Sequence, residues 1–176
     1  MKLSTQEFID FCKYQHDIEC NQKYDKIHPY SFHLDLVYKQ AMLFKHLIPE
    51  DEPYHSSVIC AIYAHDLIED GRCVYSDLLK QSNKIVADIV YACTDEKGRN
   101  RKERHSDAFF ELLKQNDLAV FVKLCDIMAN TKYSLLTNST MLDSYRGDFQ
   151  KVKTELYRDE YKEMFDYLEK LITIHI

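Results

Sequence analysis

The segment Ala64-His65-Asp66-Leu67-Ile68-Glu69-Asp70 brings one imidazole and three carboxylates close together at the end of an apolar stretch. His65 and Asp66 supply one nitrogen and one oxygen ligand. Four residues make about one helical turn, so a helix here stacks His65 over Glu69 and Asp66 over Asp70. Burying that much negative charge is costly unless a cation compensates it. A helix C-terminus is also the unfavourable end for carboxylates, because its dipole is already negative. Taken alone, the segment also fits a solvated acidic helix end beside a chance histidine.

Two other segments add to it. Pro29-Tyr30-Ser31-Phe32-His33 sets a histidine at the start of an amphipathic helix. Val120-Phe121-Val122-Lys123-Leu124-Cys125-Asp126-Ile127-Met128-Ala129-Asn130 is an apolar helix interrupted by Asp126, with Asn130 one turn later on the same face. A lone acid in an apolar helix needs a cation or an arginine. Together the segments offer His33, His65, Asp66 and Asp126. Two imidazoles with two carboxylates suit Mn²⁺ or Fe²⁺. Zn²⁺ also fits, although the set contains no cysteine.

The order His33, His65-Asp66, Asp126 resembles the H…HD…D signature of HD-domain metal phosphohydrolases. Pro29-Tyr30-x-x-His33, His65-Asp66-x-x-Glu69-Asp70, Thr94-Asp95-Glu96-Lys97 and Lys123-Leu124-x-Asp126-x-x-x-Asn130 resemble, in order, the motifs of the RelA/SpoT-type (p)ppGpp hydrolase domain. The length is similar to that of stand-alone small alarmone hydrolases of the metazoan SpoT-homologue kind. The likeness runs from about residue 12 to residue 156.

The resemblance implies an all-α fold, a single HD-domain helical bundle over residues 1–176. It implies a Mn²⁺-dependent enzyme that removes the 3′-pyrophosphate from guanosine 3′,5′-bis(diphosphate), the alarmone of the stringent response. His33, His65, Asp66 and Asp126 match metal ligands. Glu69 and Asp70 match the pair that positions and activates the attacking water. Asn130 matches a residue near the ribose, and Lys97 and Arg101 fall in a segment near the substrate phosphates. Lys23 and Lys26 fall in the upstream stretch that meets the nucleotide. Three positions depart from the family pattern. Leu34 follows the first histidine where proline is usual, and Ile127 replaces a frequent basic residue. The stretch from Glu19 to Lys26 has no arginine to stack on a base. These departures bear on the nucleobase rather than on the metal. The basic run Lys97, Arg99, Arg101, Lys102 and Arg104 also reads simply as a solvated helix start.

Helices must carry these residues. Ser4-Thr5-Gln6-Glu7 has the form of a helix start, with Phe8, Phe11 and Cys12 on one face. The polar stretch from Ile18 to Pro29 reads as a loop. A helix from about Phe32 to Leu47 stops before Pro49. Pro53 opens the next, which runs to Asp70-Gly71, with Gly71 suited to a C-terminal cap. Short helices follow at Ser76–Gln81 and Ile85–Cys93. A charged loop from Thr94 to Arg104 enters a further helix. The last two read as Leu118–Lys132 and Leu142–Leu171, the latter broken near Arg146-Gly147. Ala119-Val120-Phe121-Val122 has β character, but Val122, Cys125 and Ala129 keep the 3.6-residue period of a helix.

Composition agrees. The 176 residues include only three Gly and three Pro, which excludes a turn-rich β-sandwich and disorder. A net charge of -6 argues against a nucleic-acid binder. No apolar run approaches the ~18 residues of a membrane span. The first residues carry Glu7 and Asp10 where a signal peptide is apolar, and the six cysteines lack C-x-x-C spacing. A cytoplasmic protein with reduced, mostly buried thiols is expected, acting on a small-molecule nucleotide. Two alternatives stay open: an HD hydrolase of another nucleotide (a nucleoside monophosphate, an adenine alarmone or NADPH), and a metal-stabilised or metal-free binding module that has lost activity.

Overall fold

The fold was derived from a computed structural model that describes residues 2–95 and 101–174, the side chains of residues 101 and 102 excepted. Helices α1 (Thr5–Tyr14), α2 (Ser31–Leu43), α3 (Tyr54–Ala64), α4 (Tyr75–Gln81) and α5 (Lys84–Cys93) form the first half. Helices α6 (Arg101–Arg104), α7 (Asp107–Lys114), α8 (Asp117–Leu136), α9 (Met141–Leu156) and α10 (Lys162–Thr173) form the second. Helix α8 is the axis of the packing, in contact with α2, α3, α5, α7, α9 and α10. It is buried without interruption from Ala119 to Ala129, so this apolar run is helical as its period predicts. None of the described helices is long and apolar enough to cross a membrane.

Short polar side chains set the helix starts. Ser4 and Glu7 close a reciprocal cap on α1, with Ser4 N–H donating to the Glu7 carboxylate at 2.9 Å. Asn83, Ser106 and Asn116 accept from Val86, Phe109 and Ala119 amides at the starts of α5, α7 and α8. All six cysteines are free thiols, and five of them are buried.

Several elements differ from the sequence expectation. The stretch from Ile18 to Pro29 is not wholly loop. A π-helical turn, Gln15–Glu19, precedes a two-stranded antiparallel ribbon, β1 (Lys23–Tyr24) with β2 (His28–Pro29). Helix α2 ends at Leu43, and a 3₁₀ turn, Lys45–Leu47, completes the expected span. Helix α3 ends at Ala64, and residues 65–70 continue as turns. The His65 ring takes the Ile62 carbonyl that the Asp66 amide would use in a regular helix. The one-turn spacing survives between Asp66 and Asp70, whose amide donates to the Asp66 carbonyl at 2.8 Å.

Arg72, not Gly71, takes the left-handed conformation after this turn, at φ 56°. Gly71 is needed for space, because a Cβ there would lie 2.6 Å from a Leu67 methyl and 2.9 Å from the Leu67 carbonyl oxygen. Helix α9 runs straight through Gly147, where a Cβ would meet nothing within 4 Å. The break falls instead at residues 157–161, in a stretch with neither Gly nor Pro. Extended backbone at Tyr157 and Arg158 lets the Arg158 guanidinium reach the Lys114 carbonyl at 2.6 Å and the Asp117 carboxylate at 3.1 Å.

Candidate metal centre

Helix α2 presents His33, the turn after α3 presents His65 and Asp66, and α8 presents Asp126. All four are buried. One ligand atom from each of His33, His65 and Asp66 lies within 4.8 Å of the others. Asp126 Oδ1 is 3.2 Å from His33 Nε2 and 3.7 Å from His65 Nε2, which adds it to the group. His65 Nδ1 is 2.9 Å from the Ile62 carbonyl oxygen, an acceptor, so Nδ1 carries the proton. In the neutral ring Nε2 is then a bare lone pair. It is fully buried, and among the described residues no donor faces it: its nearest polar neighbour is the Asp66 carboxylate, an acceptor, 3.0 Å away. A metal-ligating histidine is held in this way, by its second nitrogen on a carbonyl. The donor set therefore fits a divalent cation.

Charge explains why this cluster tolerates burial. For Asp66, burial pushes the carboxyl up, but the charge of a protonated His65 ring and the hydrogen bond its Nε2–H then donates outweigh it and hold it below the usual range. Burial likewise works against the charged forms of His65 and Asp126. The two carboxylates nevertheless raise the His65 ring well above its ordinary value, and Lys123 and His33 hold Asp126 well below its own. Without a metal, a proton on His65 partly balances the carboxylates. Binding a cation must displace that proton.

The cluster opens into a cavity of about 180 Å³ that Glu69, Asp70, Arg104, His105, Lys123 and Asn130 help to line. Glu69 pairs with Arg104 at 3.3 Å and accepts the Asp95 amide at 3.4 Å. Asp70 accepts from Gln22 Nε2 at 2.9 Å. Burial and then the Asp66 charge push Glu69 up to about 7, and the same two causes raise Asp70. The Asn130 amide is engaged at both ends. It donates to Asp126 at 2.6 Å and accepts from the Tyr24 hydroxyl at 2.9 Å, so it steadies a cluster carboxylate.

Lys23 and Lys26 sit on the exposed ribbon and its turn, and neither lines this cavity. Lys97 and the Arg101 side chain lie outside the described residues. Among the described residues, the Lys and Arg charges at the cavity are Arg104 and Lys123, the latter given no role by the sequence reading. Lys123 is buried 3.4 Å from Asp95 and 3.5 Å from Asp126, and His105 lies 3.2 Å from Asp95. Burial would push the Lys123 ammonium down, but Asp126 and Asp95 hold it above its ordinary value. The signal for Lys123 was its place one turn before Asp126 in an apolar run. His105 and Asp95 are brought together by tertiary packing, with no local signal. Tyr30, which enters the Pro29-Tyr30-x-x-His33 motif without an assigned role, donates its hydroxyl to Asp66.

The raised Glu69 has a consequence for the metal-free protein. Between about pH 4.5 and 7 the folded state holds a proton that the unfolded state has released. The stability tied to that proton is full below this window and is lost as pH rises through it. Glu69→Gln removes the loss. In chelator-treated protein, urea denaturation should show the variant gaining about 1–2 kcal/mol on wild type between pH 5 and pH 8, after solvent screening of a partly exposed group. A difference that does not change with pH would show Glu69 to be ionised throughout.

No family model matches the sequence, and no curated protein matches it. A solved structure does, that of a metazoan ortholog of SpoT described as hydrolysing ppGpp and playing a role in starvation responses. The TM-score is 0.74 at 22% identity, over 97% of this chain and 96% of that one. The chain therefore has the mostly helical fold of an HD-domain hydrolase.

Proposed function

We propose that this chain is a metal-dependent hydrolase of guanosine 3′,5′-bis(diphosphate)-type alarmones that releases the 3′-pyrophosphate. The observation that carries this reading is the buried His33–His65–Asp66–Asp126 cluster at a cavity bearing both carboxylates and cations. Mn²⁺ suits these ligands, with Fe²⁺ and Zn²⁺ as the other candidates. A divalent ion there would supply Lewis-acid chemistry, lowering the pKa of a water and neutralising charge on a phosphoryl group. Glu69 and Asp70 flank the cluster and accept the proton of the attacking water. A base with a pKa near 7 suits that role. Lys123 and Arg104 offset the charge of the pyrophosphate as it leaves. A second cavity of about 370 Å³ shares Asn130 and Tyr145 with the first and offers room for the nucleoside.

A second reading, an HD hydrolase of another nucleotide, is favoured by one feature. Tyr24, in the stretch that lacks arginine, stacks on His33 at 4.9 Å and adds an aromatic wall beside Asn130.

Incubation with Mn²⁺ and a nucleotide panel, with products separated by anion exchange, tests both. Pyrophosphate released from a guanosine 3′-diphosphate is the expected result. Release of inorganic phosphate alone, or attack on the 5′ chain, would replace the first reading with the second.

A further inference from the structure

His16 lies outside the cavity, on the π-helical turn after α1, and is completely buried. Its Nδ1 is 2.6 Å from Gln22 Oε1, and Gln22 Nε2 donates to Asp70 at 2.9 Å. The amide nitrogen of Gln22 is used on a carboxylate, so its oxygen faces the ring. An oxygen acceptor can pair only with a ring N–H, which puts the proton of His16 on Nδ1. Nε2 is then a bare nitrogen, and it is buried with no hydrogen-bond partner among the described residues. Burial outweighs the Gln22 hydrogen bond and lowers the proton affinity of the ring, which keeps it neutral.

The ring also packs on Tyr30, centroid to centroid 4.6 Å, and Tyr30 donates to Asp66. The Gln22 backbone N–H donates to the His16 carbonyl at 2.9 Å, and the Ser31 backbone N–H donates to Asp17 at 2.9 Å, which ties the turn to the chain entering α2. An apolar ring would fill the same space without a stranded nitrogen. What histidine adds here is the Nδ1–H.

We propose that His16 is a positioning residue for hydrolysis, holding Gln22 and through it the Asp70 carboxylate in the orientation that accepts a proton. This rests on the role given to Asp70 above. Gln22 occupies one carboxylate oxygen, and His16 stops the amide from turning over. If the amide turned, its oxygen would face the carboxylate and repel it. Neither residue lines the metal cavity, so losing either one disturbs the geometry of the base rather than substrate binding.

Four variants test this: His16→Phe, which keeps a ring on Tyr30; His16→Asn, whose amide N–H can replace Nδ1–H; Gln22→Met, at a half-exposed site; and the His16→Phe/Gln22→Met double. Each is assayed with saturating Mn²⁺ on guanosine 3′,5′-bis(diphosphate) and on bis(4-nitrophenyl) phosphate. The chromogenic ester reports on phosphoester hydrolysis whatever the natural nucleotide is. His16→Phe and Gln22→Met should each lower kcat ~10–100-fold on either substrate, the range for residues that orient an active-site group. KM should stay within about threefold and bound metal should be unchanged. The double variant should lose no more than the worse single, because both break one chain of hydrogen bonds. His16→Asn should recover most of kcat.

Losses that multiply in the double, a fall confined to KM, or an Asn variant no better than Phe would overturn the proposal. Hydrolysis of the ester but of no guanosine nucleotide would overturn the substrate reading alone, leaving the relay to be judged on the ester. A second measurement needs no turnover. Ring ¹⁵N spectra should show His16 protonated at Nδ1 and bare at Nε2, and protonation at Nε2 instead would also overturn it.

Discussion

Glu69→Gln and Asp70→Asn are expected to keep the fold and the bound Mn²⁺ while losing about 10²–10⁴ in kcat, the usual cost of removing a general base. Neither side chain belongs to the His33–His65–Asp66–Asp126 group. Glu69 is tied to Arg104 and the Asp95 amide, and Asp70 to Gln22. A neutral amide of the same shape can keep part of these contacts but cannot accept a proton from water. Burial and the Asp66 charge raise both groups, so each binds a proton more readily than an ordinary carboxylate. Substrate should bind as well or better in both variants, since a negative charge facing its phosphates is gone. The two titrate as part of one acidic cluster, so the base belongs to the pair rather than to one residue. Metal content measured beside single-turnover rates separates holding the metal from turning over. Normal metal with near wild-type rate in both variants would show that the pair is misassigned.

The second large effect concerns metal itself. Addition of Mn²⁺ to chelator-treated wild type should raise Tm. A ligand at a hundred times its Kd stabilises the native state by about 2.7 kcal/mol. For a chain of this size that corresponds to roughly 5–10 °C. His65→Ala should abolish the response, because it removes a fully buried lone pair to which no described residue donates. The measure is the shift on adding metal rather than the Tm of the variant, since the deletion also leaves the Ile62 carbonyl without its ring partner. Retention of stoichiometric metal and of the full shift in His65→Ala would remove His65 from the ligand set. Lower pH should weaken binding in wild type, because a proton on His65 competes with the cation.

Features encoded within one or two helical turns are legible in the chain alone. Apolar residues at 3.6-residue spacing specify α5 and α8, and Ser4 with Glu7 specifies the start of α1, because these rules operate within one or two turns. The pairing of Asp126 with Asn130 and the one-turn link from Asp66 to Asp70 were readable for the same reason. Where a helix ends was less so. At His65 a side chain competes for a backbone carbonyl. At residues 157–161 the break is set by Arg158 reaching Lys114 and Asp117, contacts some 40 residues away in sequence. Which charges meet is set by how the helices pack. Lys123 comes from α8, Asp95 from the chain just after α5, and His105 from the link between α6 and α7. Lys23 and Lys26, basic and nearby in sequence, remain on the exposed ribbon. His16 shows the same limit. Nothing within a turn of it suggests a role, and its function follows from a chain of hydrogen bonds that crosses 48 residues between Gln22 and Asp70. Local spacing repeats with the helix and can be read in a short window. A buried electrostatic network depends on how separate faces pack, and it exists only after they have met.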